Sequence, residues 1–209
     1  MIHNNFSFTN SSEAASMIAA EINKRHTDKT TNFLVAIDGR SGTGKSTLAQ
    51  LVAEKVNGVI VIGDDFYSGG NDDRWQECTP QVKADMVIDW KKMRVEVLEP
   101  LKSGKTASWH PLDFVPGKGW VGWKDEIVRL EPSNVIILEG AYSARPELRG
   151  IVDLTVLVES TDDVRKRQLR DREGEKFMKK WHEIWDEAED YYFSKVSPNE
   201  TFDLVIQLF

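Results

Sequence analysis

The sequence predicts an α/β fold of three layers, a five-stranded parallel sheet covered by helices. Three observations predict it. Five short apolar runs, at 33–37, 59–62, 135–138, 154–158 and 204–206, have the uninterrupted character of strands buried on both faces. Segments with helical spacing lie between or before most of these runs, and such alternation means a parallel sheet. A glycine-rich loop joins the first run directly to its helix.

Asn10 to Arg25 reads as a helix, with Asn10 as N-cap, Glu13 three residues on, and Ala14, Ile18 and Ile22 along one face. Phe33-Leu34-Val35-Ala36-Ile37 is the first strand and ends at Asp38-Gly39. From Lys45, Leu48, Leu51, Val52 and Val56 mark the next helix, and Val59 to Ile62 the second strand, ending at Gly63-Asp64-Asp65. The stretch 68–133 is too long for an ordinary connection and predicts an insertion with its own structure. Within it Thr79-Pro80 looks like an N-cap with proline at the first helical position. Asp89 caps a second helix through Trp90, Val97 and Leu101, which Pro100 kinks or ends. Residues 106–109 and 127–130 pair as strands across a loop holding Pro116, Gly117, Gly119 and Gly122. Strands follow at Val135–Leu138 and Leu154–Val158. Thr161 caps a helix to about Arg172, and Phe177, Trp181, Ile184, Trp185, Ala188 and Tyr192 form an apolar stripe, read as core. Leu204–Ile206 is the fifth strand. Without repeat or linker, 1–209 reads as a single domain.

A chain of 209 residues, 40% hydrophobic and 29% charged, is long enough for one real core. Its net charge of −7 argues against general affinity for DNA, RNA or anionic lipid, which need a basic surface. A single cysteine, Cys78, excludes an internal disulfide framework and zinc spacing, and reads as an inert thiol in a reducing compartment. The N-terminal residues have no signal-peptide pattern, and no window approaches the roughly eighteen apolar residues of a membrane span. The expectation is a soluble, cytoplasmic protein with neither nucleic acid nor membrane as partner. Whether it forms a homo-oligomer is unreadable from one sequence.

The loop Gly39-Arg40-Ser41-Gly42-Thr43-Gly44-Lys45-Ser46, continuing into Thr47, has the P-loop pattern. A triphosphate is a dense anion; glycines let backbone N–H groups approach it, and the following helix points its positive end at it. Lys45 would neutralise β and γ oxygens, and the Ser46 hydroxyl would sit on Mg²⁺. Asp64 and Asp65 end a strand on the same edge of the sheet, where ligands bind in open α/β folds. One of them is a candidate base for an attacking hydroxyl, and the other a candidate to reach Mg²⁺ through water. Glu139, ending the third apolar run, is a further candidate magnesium residue. The basic run Arg165, Lys166, Arg167, Arg170 and Arg172 follows the fourth strand in an acidic protein. Arg170 and Arg172, near Gly174, suit a lid over phosphate at about 161–176, where arginines stabilise charge on the transferring group.

Taken in order, these residues resemble the uridine kinase family of P-loop kinases, relatives of phosphoribulokinase and bacterial pantothenate kinase. The match runs from the P-loop through Gly63-Asp64-Asp65-Phe66-Tyr67, Asp89-Trp90, Pro111-Leu112-Asp113-Phe114, Leu138-Glu139-Gly140 and Arg170-Asp171 to Phe202-Asp203-Leu204-Val205-Ile206. The resemblance implies ATP and Mg²⁺, Asp64 as general base, Lys45 and Ser46 on phosphate and metal, Glu139 near the metal, and Arg170 and Arg172 in the lid. It also implies that 68–133 supplies the acceptor pocket, with Asp89 near the acceptor's hydroxyls and Tyr67 and Asp113 in matching motif positions. Trp109, Trp120 and Trp123 are candidates to stack on a flat acceptor or to pack the insertion. Two departures bear on the acceptor. Leu112 stands where uridine kinases usually have tyrosine, and 115–119 lacks the histidine that helps read the base, with His110 on the other side of the motif. The expected activity is transfer of the γ-phosphate of ATP to a small-molecule hydroxyl, on a nucleoside or on pantothenate, nicotinamide riboside or a sugar. A nucleotide-dependent regulatory ATPase or switch is the rival of another class, although the chain has no Asn-Lys-x-Asp guanine-reading segment.

Overall fold

The computed structural model describes residues 4–27, 30–115 and 118–209, and the side chains of 4 and 176–181 fall outside that description. Met1 to His3, Pro116 and Gly117, and the side chains of Phe177 and Trp181, therefore lie outside the described residues.

The chain opens with strand β1 (Asn4–Phe8) and helix α1 (Ser11–Arg25). Asn10 caps α1, its side-chain oxygen accepting the Ser12 N–H, and Ala14, Ile18 and Ile22 are buried. Then come β2 (Phe33–Asp38), buried along its whole length, α2 (Lys45–Val56) and β3 (Val59–Ile62). The stretch after β3 holds helices α3 (Asp72–Gln76), α4 (Pro80–Met86), α5 (Trp90–Met93) and α6 (Glu99–Lys102). Thr79 caps α4 and Asp89 caps α5 through the N–H groups of Val82 and Lys92. A π-helical turn, Arg94–Leu98, joins α5 to α6 ahead of Pro100, which has no N–H for the regular ladder. Strands β4 (Ala107–Trp109), β5 (Leu112–Val115), β6 (Gly119–Trp123) and β7 (Val128–Leu130) follow. β4 pairs antiparallel with β7, as the sequence predicts, and β5 with β6 in a hairpin that it does not. The remainder is β8 (Val135–Glu139), β9 (Leu154–Ser160), α7 (Asp162–Glu173), α8 (Glu175–Tyr191) and β10 (Leu204–Leu208).

The main sheet is wholly parallel, with the order β1-β10-β9-β2-β8-β3. It has six strands where five are predicted. The sixth, β1, lies on an edge beside β10, with Phe6 and Phe8 partly buried and polar residues between them. One hydrophobic cluster, with α1 and α2, covers one face. A second, drawn from the 68–133 stretch, α8 and the other faces of β2, β3 and β8, covers the opposite one. Among the described residues no helix is long and apolar enough to cross a membrane.

Candidate active site

The carboxyl ends of β2, β3 and β8 meet at one edge because β2 and β3 both pair with β8 in parallel. Each ends in an acid: Asp38, then Asp64 just beyond β3, and Glu139. Their environments differ, and so does what each can do.

Asp38 is fully buried. One of its oxygens accepts the N–H groups of Gly39 at 2.7 Å and Tyr142 at 2.8 Å; the other accepts the Ala144 N–H at 2.9 Å and the Tyr192 hydroxyl at 2.7 Å. Burial still pushes its carboxyl above the usual range, with the Ala144, Tyr192 and Gly39 donors and the Lys45 charge pulling the other way. It fastens the start of the phosphate loop to the loop after β8. The sequence marks it only as the end of a strand.

The loop itself runs from Gly39 to Gly44, where α2 begins. Gly42 has φ +78°, and a Cβ there would stand 2.7 Å from the Arg165 carbonyl oxygen and 2.8 Å from Leu169 Cγ. Only glycine fits that left-handed position beneath α7. Thr43 is buried and its hydroxyl donates to the Arg40 carbonyl at 2.9 Å, while Lys45, also buried, extends its Nζ to the same oxygen at 3.4 Å. The exposed Ser46 donates its hydroxyl to Glu139 Oε2 at 3.1 Å, and Thr47 beside it is exposed.

Glu139 is buried, and burial raises its carboxyl above the usual range. Lys45 lowers it, Asp64 raises it, and Ser46 and Arg172 lower it further. Asp64 is thus an electrostatic neighbour of Glu139. Gly140 follows Glu139 at φ +150°, in van der Waals reach of the β3 end: a Cβ on it would lie 3.4 Å from the Gly63 Cα and 3.6 Å from Asp64 Oδ1. Asp64, exposed on a 3₁₀ turn over Gly63–Phe66, opens onto a cavity of about 570 Å³. Ser41, Tyr67, Trp120, Arg172, Trp185 and Glu189 share its wall.

Asp65 points elsewhere. Its oxygens accept the Trp109 Nε1–H at 2.9 Å and the Leu112 N–H at 3.2 Å, so it holds the 68–133 stretch rather than standing with Ser46 and Glu139. Burial raises its carboxyl, and those two donors oppose the rise. The sequence offers Asp65 as a residue reaching Mg²⁺ through water; here both of its oxygens are engaged by the Trp109 and Leu112 donors. Trp109, 5% exposed and packed on Phe66, is core and does not line the cavity. Asp89 caps α5 and is absent from the wall. Asp113 lies on the other side of its strand from Leu112 and Phe114, facing a shallow depression with Trp123. The sequence offers these three as acceptor residues; in this structure none of them lines the cavity. Tyr67 does line the cavity; its hydroxyl donates to the Gly70 carbonyl at 2.9 Å, and burial pushes its pKa to about 12. Arg172 reaches the wall, paired at 2.7 Å with Glu173, whereas Arg170 is exposed near the end of α7. His110 sits against the Lys124 carbonyl, outside the cavity. Trp185, read as core from its stripe, is only half-buried and faces the cavity, because the stripe on α8 is wider than the core it covers. Glu189 escapes sequence reasoning because the loop residue it holds, Ser41, lies 148 positions away.

The chain matches no protein-family model. It is 29% identical over 147 residues, 68% of each chain, to a uridine kinase of Latilactobacillus sakei, and uridine kinases of Limosilactobacillus reuteri and Halobacterium salinarum align over 61% and 72% of their length. Among solved structures, one described as a possible uridine kinase from Bacillus stearothermophilus superposes with a TM-score of 0.65 at 20% identity, covering 93% of this chain and 97% of that one. The D-glycerate 3-kinase of Cryptococcus neoformans superposes at 0.67 and 13% identity, covering 94% and 95%. The fold is therefore shared by kinases named for different acceptors. With a P-loop closing β2 and acids ending β3 and β8, the chain has the fold of P-loop kinases and is similar in sequence to uridine kinases.

Proposed function

We propose that this protein moves the γ-phosphate of ATP to a hydroxyl of a small molecule held in the 570 Å³ cavity, as a uridine kinase-like enzyme working in the cytoplasm. One observation carries the reading: Asp64 and the loop residue Ser41 open onto the same cavity, so a base and a phosphate cradle face one volume. The N–H groups of the loop and the Lys45 ammonium receive the triphosphate. Asp64 accepts the proton of the acceptor's hydroxyl as that oxygen attacks. Arg172, with Arg170 behind it, supplies positive charge from the lid side. Ser46 and Glu139, hard oxygen donors 3.1 Å apart at the start of α2, fit Mg²⁺, which leaves most of its shell to water and phosphate. When bound, that ion neutralises charge on the phosphate oxygens.

The acceptor side is built from the 68–133 stretch and α8. Tyr67, Trp120 and Trp185 give it aromatic walls, with Leu112 and Phe114 beside them. Such walls support an acceptor with a flat or apolar part, and the uridine kinase relatives make a nucleoside the first candidate. Leu112 and the absence of a histidine from the cavity wall leave base recognition to stacking more than to hydrogen bonds.

The test is ADP formation with MgATP across nucleosides, pantothenate, nicotinamide riboside and simple sugars, with the phosphorylated product confirmed by mass. A sharp rise with one class is expected. Slow ATP hydrolysis indifferent to every acceptor would reject the kinase reading in favour of a nucleotide-dependent switch.

A further inference from the structure

Glu189 takes no part in the chemistry proposed above, yet it grips the phosphate loop. It is 1% exposed and sits one turn beyond Trp185 on α8. One carboxylate oxygen accepts the Ser41 N–H at 2.8 Å. The other accepts Arg165 Nη2 at 3.0 Å and lies 3.9 Å from Arg40 Nη1. Arg165, buried on α7, also donates its Nε to the Ser41 carbonyl oxygen at 3.0 Å. Both backbone polar groups of Ser41 are thus tied to side chains of the two helices that follow β9. Arg40 is held from the same side, pairing with Asp190 at 2.6 Å and lying over the Phe193 ring. Gly42 abuts the Arg165 carbonyl. The front half of the loop, 40–42, is shaped from outside, whereas its rear half is continuous with α2.

A buried ion pair is weak support for stability, because desolvation offsets much of the attraction. Its geometry is what remains useful. We propose that Glu189 is a positioning residue for the triphosphate: with Arg165 it fixes Ser41 so that the N–H groups of the loop converge before the nucleotide arrives. Preorganisation of this kind removes an ordering cost from binding. The proposal rests on the reading of the loop as the triphosphate site and is independent of the acceptor.

The test is calorimetric titration of MgATP into the wild type, Glu189→Gln, Glu189→Ala, Arg165→Met and the double variant Glu189→Gln/Arg165→Met, each first shown to be folded by circular dichroism. A glutamine offers one oxygen, so it serves Ser41 or Arg165 but not both. Glu189→Gln should raise Kd by about 10- to 100-fold, the loss expected for one hydrogen bond to a charged group, while binding stays near one nucleotide per chain. Glu189→Ala should do at least as much, and the double variant should be less impaired than the product of the single effects, since the residues act as a unit. Glu189→Gln keeps the side-chain volume and carries the test if the alanine variant does not fold. A folded Glu189→Gln with wild-type Kd, or with unchanged Kd and fewer competent sites, overturns the positioning role alone. A wild type that does not bind MgATP overturns the loop reading as well.

Discussion

Replacing Asp38 by asparagine tests whether the buried carboxylate holds the site together. Four donors converge on its two oxygens, all within 2.9 Å. Asparagine has one oxygen. Placed toward Gly39 and Tyr142, it keeps two of the bonds but turns its NH₂ group against the Ala144 N–H. Leaving that buried donor unsatisfied costs about 1–3 kcal/mol. The two retained bonds lose a charged acceptor, and such bonds are roughly twice as strong as neutral ones. Working against this, asparagine no longer has to be desolvated as an ion, the effect that pushes the Asp38 pKa upward. The net expectation is a loss of about 2–3 kcal/mol, which for a chain of this size lowers Tm by about 5–10 °C. Thermal unfolding by calorimetry, with and without MgATP, measures it. Nucleotide stabilisation should shrink together with Tm, because the same carboxylate anchors Gly39. A Tm within about 2 °C of wild type would refute the reasoning, since it would mean the four donors find other partners without loss.

Asp64→Asn should lower turnover by about two to four orders of magnitude while MgATP affinity stays near wild type, and a variant keeping more than about a tenth of the rate would remove Asp64 from the role of base. Lys45→Ala should weaken both MgATP binding and turnover, which a titration and a rate measurement check together. MgATP affinity should fall as pH drops through the Glu139 pKa, which burial holds above the ordinary carboxylate value, because the protonated form no longer offers an anionic ligand. Glu139→Gln should bind weakly with that dependence flattened; a wild-type pH profile in the variant would place the titration elsewhere. Gly42→Ala should lose nucleotide binding with only a modest change in Tm, since its Cβ meets the Arg165 carbonyl at a left-handed φ; normal binding would show that α7 gives way.

The central strands and the phosphate loop were legible because burial on both faces requires continuous apolar residues, and a phosphate cradle requires glycine at fixed spacing. β1 was not, since an edge strand buries only Phe6 and Phe8 and its polar residues resemble a tail. The hairpin of β5 and β6 was hidden for a related reason: Phe114, Val121 and Trp123 are apolar yet exposed, so no alternation marks a buried face. Asp64 and Asp65 are neighbours of one chemistry, and only the 3₁₀ turn decides that one opens to the cavity while the other turns to Trp109. Glu189 and Asp38 act through partners distant in sequence, which no local pattern records.

The strand order also governs when the phosphate loop can exist. β2 leaves the ribosome ahead of its neighbours on either side, β8 and β9, with Phe33 opposite Val135 and Val35 opposite Leu154, each more than a hundred residues later. Closing so long a loop costs little more than closing a shorter one, since each doubling adds only about 0.6 kcal/mol, but it sets a delay. Until β8 and β9 have been made, an uninterrupted apolar strand waits without partners, and such unpaired strands are the species that aggregate. Arg165 and Glu189 come later still. During synthesis, therefore, the residues proposed to bind nucleotide are made before the surroundings that shape them.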